Sequence, residues 1–252
     1  MRYTLKIALI LSAAVAAPAF AEDTAPPSGP ITVTGGATVV SDYRFRGVSQ
    51  TDRRFALQGT LTVTHESGFY VSTWGSSIDD YVAYGSDQEI DLIAGYHKTV
   101  NGTTFDIGGL YYYYPGSHGN NTDFIEPYAS VSHVFGPATA KAGLAYAPKQ
   151  RALATAFHDK EDNLYMYGEL GGAIPDTGFS VLGHVGYSKG RSVLTSSLKG
   201  YVDWNLGVNY TWQHLTLGVA YADTDIKNDE FTTPSGRHPA KAGAVVSLGA
   251  SF

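Results

Sequence analysis

The sequence predicts an all-β protein, a single antiparallel transmembrane β-barrel of about twelve strands that follows a cleaved N-terminal signal peptide. Three observations support this fold class: apolar and polar residues alternate with a period of two, long and short connections alternate between the segments, and aromatic residues gather near the segment ends. The clearest alternation runs from Tyr201 to Trp212, where every second residue is apolar and the others are polar or glycine. Such a strand has one face for an apolar environment and one for water.

The first residues indicate export. Arg2 and Lys6 precede an apolar run over 7–17, and Ala19-Phe20-Ala21 provides the small residues that a signal peptidase requires. The run is shorter than the ~20 apolar residues of a spanning helix. We therefore assign 1–21 to a signal peptide, 22–30 to a Pro-rich linker and 31–252 to the barrel.

The composition fits a sheet with one wet face. The chain has 29 glycines, 18 tyrosines and no cysteine, and its mean hydropathy is −0.11. Without cysteine no disulfide can stabilise the fold, so strand pairing and packing must. Loss of Arg2 and Lys6 changes the formal net charge from −6 to −8, which argues against a nucleic-acid partner.

The connections show the asymmetry of an outer-membrane barrel. Short turns follow every second strand from the second onward, and longer loops follow the others, as expected for periplasmic turns and outer loops with both termini inside. No domain boundary or repeat interrupts the pattern. The predicted strands are 31–42, 56–66, 69–79, 87–98, 103–114, 123–134, 137–147, 161–174, 178–189, 201–212, 214–225 and 241–252.

Aromatic residues predict two girdles at the membrane interfaces. One group stands beside the short turns and the other toward the long loops. The first contains Phe69, Phe105, Phe179 and Trp212, and the second contains Tyr111, Tyr113, Tyr146, Tyr187 and Tyr221. The last strand ends in Phe252 on an apolar face, like the terminal strands that the outer-membrane assembly machinery recognises, so we expect that machinery and outer-membrane lipids as partners.

The segment "SDYRFRGVSQT" alternates aromatic and charged residues immediately after the first strand. Continuing the parity of that strand places Tyr43 and Phe45 on the lipid side and Asp42, Arg44 and Arg46 toward the lumen.

Three stretches resemble the TorF family, porin-like exported proteins of proteobacteria without an established substrate. They are "VVSDYRFRGVSQTDRRFALQG", "HESGFYVSTWGSS" and "QEIDLIAGYHKTVNGTTFDIGGLYYYYPG", so the similarity is specific as far as about Gly116. Phe55 stands where the family pattern has a proline, which affects only the local backbone. The resemblance implies a barrel with a transport role and supplies no catalytic or binding residues.

Charged residues at lumen-facing positions are the candidates for lining a pore. They are Asp42, Arg44, Arg46, Glu89, Asp91, Asp106, Glu126, Lys141, Glu169 and Asp203. An acidic wall with basic residues near the mouth can form an eyelet that sorts small solutes by charge. The same groups can instead form a structural ion-pair network that stiffens the barrel, because a desolvated guanidinium needs partners. The two hypotheses are not exclusive.

Strand number bears on the function. Eight strands are about filled by their own side chains and sixteen leave an open channel, so twelve favour a narrow, selective or partly plugged pore. We predict an outer-membrane porin-like barrel for passive transport of small polar or ionic solutes. A non-conducting structural or interaction barrel is the alternative.

A lipid-modifying enzyme is a third hypothesis, since Gly186–Gly190 reads G-x-S-x-G around Ser188. That motif requires a strand-to-helix turn, whereas here a strand meets an outer loop, so we predict no catalytic residue. The histidines lack ligand spacing and no cofactor or metal is predicted, although outer-loop acids at positions 223, 225, 229 and 230 leave Ca²⁺ open.

Overall fold

A computed structural model describes residues 29–228 and 230–252 of the chain. The predicted signal peptide and all but the last two residues of the predicted linker lie outside the described residues. Among the described residues, no helix is long and apolar enough to cross a membrane.

The described residues form a closed barrel of twelve antiparallel strands, which confirms the predicted fold class. The predicted strand ends agree with the observed ends to within three residues. Two further short strands, β2 (Arg44–Phe45) and β3 (Val48–Ser49), pair only with each other. The barrel strands are β1 (Ile31–Val40), β4 (Ala56–His65), β5 (Phe69–Ser77), β6 (Gln88–Val100), β7 (Thr103–Tyr113), β8 (Phe124–Phe135), β9 (Ala138–Gln150), β10 (Glu161–Ala173), β11 (Phe179–Lys189), β12 (Gly200–Trp212), β13 (Leu215–Thr224) and β14 (Gly243–Ser251).

Strand β1 closes the barrel because it pairs on both edges. Val39 lies opposite Leu57 of β4 on one side and Leu248 of β14 on the other. All three side chains point outward and are exposed. A closed ladder leaves no free sheet edge, so backbone polar groups are satisfied within the wall.

The outer face is apolar and carries both predicted girdles. Phe69, Phe105 and Trp212 are exposed beside short turns, and Tyr111 and Tyr221 are exposed toward the long loops. Exposed apolar side chains continue between them, which is the arrangement that a surrounding hydrocarbon layer favours.

Pro127 lies within β8, where we expect a bulge or a later strand start because proline cannot donate to a ladder. The strand itself begins before Pro127, but its ladder with β9 begins only at Tyr128. In place of a ladder, the Gln150 side chain of β9 accepts from the Ile125 N–H at 2.9 Å and donates to the Ile125 carbonyl at 2.8 Å. The amide side chain therefore substitutes for backbone pairing where proline interrupts it.

Candidate functional site

Loop 1 (residues 41–55) turns into the barrel lumen instead of continuing the wall. Within it, β2 and β3 form the inner hairpin (residues 42–51), with Phe45 opposite Val48. Its tip is Arg46 at φ 49° followed by Gly47 at φ 79°, the two left-handed residues of a tight hairpin turn. A Cβ on Gly47 would also meet the Cβ of Asp203 at 2.9 Å, so this position requires glycine.

The predicted lipid-facing positions of Tyr43 and Phe45 are wrong. Their exposed fractions are 1% and 9%, because the chain leaves the wall at the end of β1 and strand parity no longer applies. The Tyr43 hydroxyl donates to Glu89 at 3.1 Å, and its ring packs edge-on against Trp74. Phe45 packs edge-on against Tyr112. Both aromatic residues therefore anchor the inner hairpin to the inside of the wall.

Asp42 holds the base of the inner hairpin together. Its carboxylate accepts from Arg44 Nε at 2.8 Å, from Ser49 Oγ at 2.5 Å and from Thr51 Oγ1 at 3.3 Å. The Arg44 guanidinium also donates to the Gly47 carbonyl at 3.0 Å. The Asp42–Arg44 ion pair lies within the hairpin, so it stabilises the loop conformation. The side chain that contacts the opposite wall is Arg46.

The Arg46 guanidinium is bound by residues of the opposite wall. Nη2 donates to both carboxylate oxygens of Glu126 at 2.7 Å, and Nη1 donates to Asn163 Oδ1 at 2.8 Å. Its Cζ lies 4.1 Å from the ring centroid of Tyr165 and 4.6 Å from that of Phe45, which are cation–π distances. The side chains of Arg46 and Glu126 are each 4% exposed.

Two further tyrosines complete this contact. Tyr112 donates to Glu126 at 3.1 Å, and Tyr201 donates to the Arg46 carbonyl at 3.1 Å. We call Tyr112, Glu126, Asn163 and Tyr165 the wall cage. Loop 1 begins at the end of β1, and β9 lies six strands from β1 in the closed ring, which is the opposite side of the barrel. The two strands that flank β9 supply cage residues: Glu126 comes from β8, and Asn163 and Tyr165 come from β10. The inner hairpin thus crosses the lumen.

Two acids of β6 lie beneath the hairpin. Glu89 and Asp91 are 2% and 1% exposed, respectively. Glu89 accepts the hydrogen bond from Tyr43, whereas Oδ1 of Asp91 accepts none from any described residue. A buried carboxylate oxygen without a donor is energetically unfavourable, so this part of the wall favours added positive charge.

A second group of charged residues lies on the other side of the lumen. The ring of His184 contacts Glu169 at 3.3 Å through Nδ1 and Asp203 at 3.2 Å through Nε2. Tyr165 also donates to Asp203 at 3.1 Å. The structure therefore brings Glu169 and Asp203 together around one imidazole, a contact that the sequence pattern did not predict.

Asp106 of β7 and Lys141 of β9 each lie beside a tyrosine that points into the lumen. Tyr70 donates to Asp106 at 2.9 Å and also hydrogen-bonds Tyr128. The Lys141 ammonium lies 5.4 Å from the ring centroid of Tyr167. Several of these rings lie against glycines of the adjacent strand; a Cβ on Gly143, for example, would overlap Tyr167. Lumen glycines therefore mark where tyrosine rings lie on the wall.

Ser188 does not meet His184. Its hydroxyl is fully buried and exchanges hydrogen bonds with the Asn163 side chain at 3.2 Å. His184 is occupied by the two acids described above. Without a Ser–His contact or a strand-to-helix turn, the G-x-S-x-G segment lacks the geometry of a nucleophile elbow.

An outer latch connects loop 1 to the 225–242 loop. The buried Asp52 carboxylate accepts from Thr233 Oγ1 and Ser235 Oγ, each at 2.8 Å, and from the exposed guanidinium groups of Arg54 at 3.1 Å and Arg237 at 3.0 Å. Burial opposes ionisation of Asp52, but these donors outweigh it and lower the pKa of the carboxyl below its ordinary value.

A cavity of about 350 Å³ opens beside the latch, between Arg54 and Pro234. Its lining includes Asp79 and Asp80, and burial followed by a hydrogen bond with Asp80 raises the pKa of Asp79. On the same side Tyr81 donates to the Ser49 carbonyl, which fixes the outer end of the inner hairpin.

The described acids considered for Ca²⁺ each accept a hydrogen bond from a backbone N–H, which for Glu230 comes from Lys227 at 2.8 Å. Asp223 accepts from the Thr224 N–H at 2.9 Å, and Asp225 accepts from the Val202 N–H at 2.7 Å. Asp229 lies outside the described residues. Within 29–228 and 230–252, no group of three or more His, Cys, Asp or Glu residues is arranged to hold a metal ion.

Two solved structures share the fold. The NanC porin, solved in a rhombohedral crystal form, aligns with a TM-score of 0.58 and 12% identity over 88% of this chain and 99% of its own. A structure from work on the mechanism of in-meso crystallisation of membrane proteins aligns with a TM-score of 0.53 and 10% identity over 87% of this chain and 83% of its own. At such low identity the likeness shows the porin-like barrel fold and nothing finer.

Sequence comparison gives the family. No curated protein matches the sequence. The family model described as "Bacterial protein of unknown function (Gcw_chp)" matches residues 24–252. Because that match covers nearly the whole chain, the protein belongs to the Gcw_chp family of bacterial proteins.

Proposed function

We propose that the protein is an outer-membrane porin of the TorF type that passes small polar or ionic solutes passively. The supporting observation is a lumen that carries many buried polar and charged side chains inside an apolar outer wall. Toward the short turns the lining includes small hydroxyl pairs such as Thr62–Ser72 at 2.6 Å and Thr211–Thr216 at 3.0 Å. Small hydroxyl groups provide hydrogen bonds to a hydrated solute and occupy little volume.

The proposed pore lining consists of Asp42, Arg44, Arg46, Glu89, Asp91, Asp106, Glu126, Lys141, Glu169 and Asp203. Arg46 and the acids around it lie where the inner hairpin narrows the lumen, so this level is the proposed selectivity region. Charge at a constriction acts strongly on a passing ion because little water separates the two.

The proposed location is the bacterial outer membrane, with outer-membrane lipids against the aromatic girdles. The assembly machinery is the proposed partner of the strand that ends in Phe252, whose ring is 73% exposed. Small solutes are the remaining partners, and neither nucleic acid nor an enzymatic reaction is part of the proposal. The contact of Ser188 with Asn163 supports the non-enzymatic assignment.

A non-conducting interaction barrel is the second candidate, and one observation favours it. The inner hairpin crosses the lumen and is held there by a buried ion pair and by Tyr201. If the hairpin never leaves, the outer loops rather than the lumen would carry the function.

Single-channel recording in a planar bilayer tests the proposal, with folding verified by the heat-dependent shift of the barrel on a gel. We expect discrete current steps from the wild type and larger, more cation-selective steps from Arg46→Ala, because that change removes a positive charge from an acidic constriction. Arg151→Ala, an exposed loop change, is the matched control and should behave as the wild type. If folded wild type and folded Arg46→Ala are both silent, the transport proposal is overturned in favour of the interaction barrel.

A further inference from the structure

We infer that the wall cage is a binding site for the guanidinium group of a solute, and that Arg46 occupies this site from within the same chain. This inference rests on the proposed transport function and names the solute class: small alkylguanidinium compounds. The four cage residues come from barrel strands, whereas the cation and the Phe45 ring that also lies against it come from the loop.

The contacts of the cage match the planar shape and the several donors of a guanidinium group. Glu126 accepts through both carboxylate oxygens, Asn163 presents its amide oxygen to the second nitrogen, and Tyr165 offers its ring face at 4.1 Å. This combination of two planar acceptors and a stacking ring matches the planar fork of a guanidinium, whereas an ammonium cannot satisfy it in the same way.

The strands keep the cage in shape without the loop. Tyr112 donates to Glu126, and Ser188 exchanges hydrogen bonds with Asn163, so both acceptors are oriented by wall residues. Loss of the Arg46 side chain alone, as in Arg46→Ala, would leave an oriented, buried carboxylate without a cation. Such a carboxylate strongly favours a replacement cation, because an uncompensated buried charge is far less stable than a paired one.

The hairpin tip that carries Arg46 is short and has a left-handed backbone. Arg46 has a left-handed backbone conformation, uncommon for a residue other than glycine, and β2 and β3 contribute only two paired residues each. Contacts with the cage and with Tyr201 compensate for this local strain. A solute guanidinium that takes over the cage contacts would therefore release the hairpin tip.

Chemical rescue tests the inference. The midpoint temperature of the folded-barrel gel shift is measured in detergent for wild type and Arg46→Ala, with millimolar methylguanidinium or with sodium at equal ionic strength. We expect methylguanidinium to raise the midpoint of Arg46→Ala by a few degrees and to leave wild type and Arg151→Ala unchanged. Tetramethylammonium, which has no N–H donors, should give no rescue, and neither should methylguanidinium with Arg46→Ala/Glu126→Gln.

Arg46→Gln is the second variant in case Arg46→Ala does not fold, since glutamine keeps most of the stem and a donor for Asn163 while leaving Glu126 without its cation. Its midpoint should also rise with methylguanidinium, by less. No rise in either variant beyond that in sodium overturns the inference. The gel-shift midpoint is measured without a bilayer, so it is independent of the current recording. If methylguanidinium raises the midpoint but the protein passes no current, only the transport proposal is contradicted. If the protein passes current but methylguanidinium does not raise the midpoint, only the guanidinium site is contradicted.

Discussion

Replacing Glu126 by glutamine should loosen the inner hairpin, and the structure sets the size of the effect. The change keeps the shape of the side chain and removes the charge that Arg46 contacts through two hydrogen bonds of 2.7 Å. Both side chains are 4% exposed, so water cannot replace the lost partner. Breaking one side of a buried ion pair destabilises by about 3–5 kcal/mol. Because the contacts of Arg46 with Asn163 and Tyr165 survive, we expect a loss near the lower limit, about 3 kcal/mol.

Urea titration of the barrel folded in lipid vesicles measures this loss through tryptophan fluorescence. Trp74 packs against Tyr43 with ring centroids 5.2 Å apart, so it reports on the hairpin as well as on the wall. The change in midpoint at a constant slope gives the change in free energy. Asp79→Asn is the matched control, since it breaks a pair whose arginine is 60% exposed and is therefore screened by solvent.

A double-mutant cycle with Arg46→Ala isolates the pair. The two single changes should each destabilise strongly, and the double change should destabilise by clearly less than their sum, because it leaves no unpaired charge. If Glu126→Gln costs less than about 1 kcal/mol, as is typical of exposed pairs, the inner hairpin is not held by the wall cage and the argument fails.

Two further changes test the wall and the outer latch. Gly143→Val should displace the Tyr167 ring, because its Cβ would overlap that ring, and should lower the free energy of unfolding by about 1–3 kcal/mol in urea titration. Gly109→Val, whose Cβ has open space around it, is the control and should cost much less. Equal losses would show that ring placement is not the cause. The pKa of Asp52 is lowered by folding, so its charge stabilises the latch fully above the ordinary value of 3.8, and that contribution disappears as the pH falls through the lower folded-state value. Asp52→Asn should therefore destabilise the protein at neutral pH and little in strong acid, with Asp159→Asn neutral at both; a loss independent of pH would contradict an ionic latch.

The wall could be predicted from the sequence because a barrel strand obeys a single local rule. Along Tyr201 to Trp212, side-chain direction follows from counting by two, and the paired register of β12 with β13 agrees with that count. The short turns could be predicted for the same reason, since Gly68 and Gly102 have left-handed backbones that few other residues adopt.

Loop 1 could not be predicted by that rule, because the rule requires the chain to stay in the wall. The alternation around Tyr43 and Phe45 continues the pattern of β1, and only tertiary contacts reverse its meaning. The missed signal is Arg46-Gly47 between Phe45 and Val48, where glycine follows a residue that can occupy the first position of a tight hairpin turn. Asn163 and Tyr165 were missed as partners because a neutral amide and a tyrosine carry no charge signal in the sequence.

The eyelet and ion-pair hypotheses describe the same atoms in this fold. Arg46 is the positive charge at the narrow level of the lumen, and it is also the cation that satisfies Glu126. With the hairpin in place, that carboxylate is neutralised and the hairpin crosses the lumen. With the hairpin displaced, the passage widens and Glu126 joins Asp91, whose Oδ1 already lacks a donor among the described residues, on an acidic wall. In the proposed pore, stability and ion selectivity therefore depend on one contact, and a substitution at position 46 is expected to change both together.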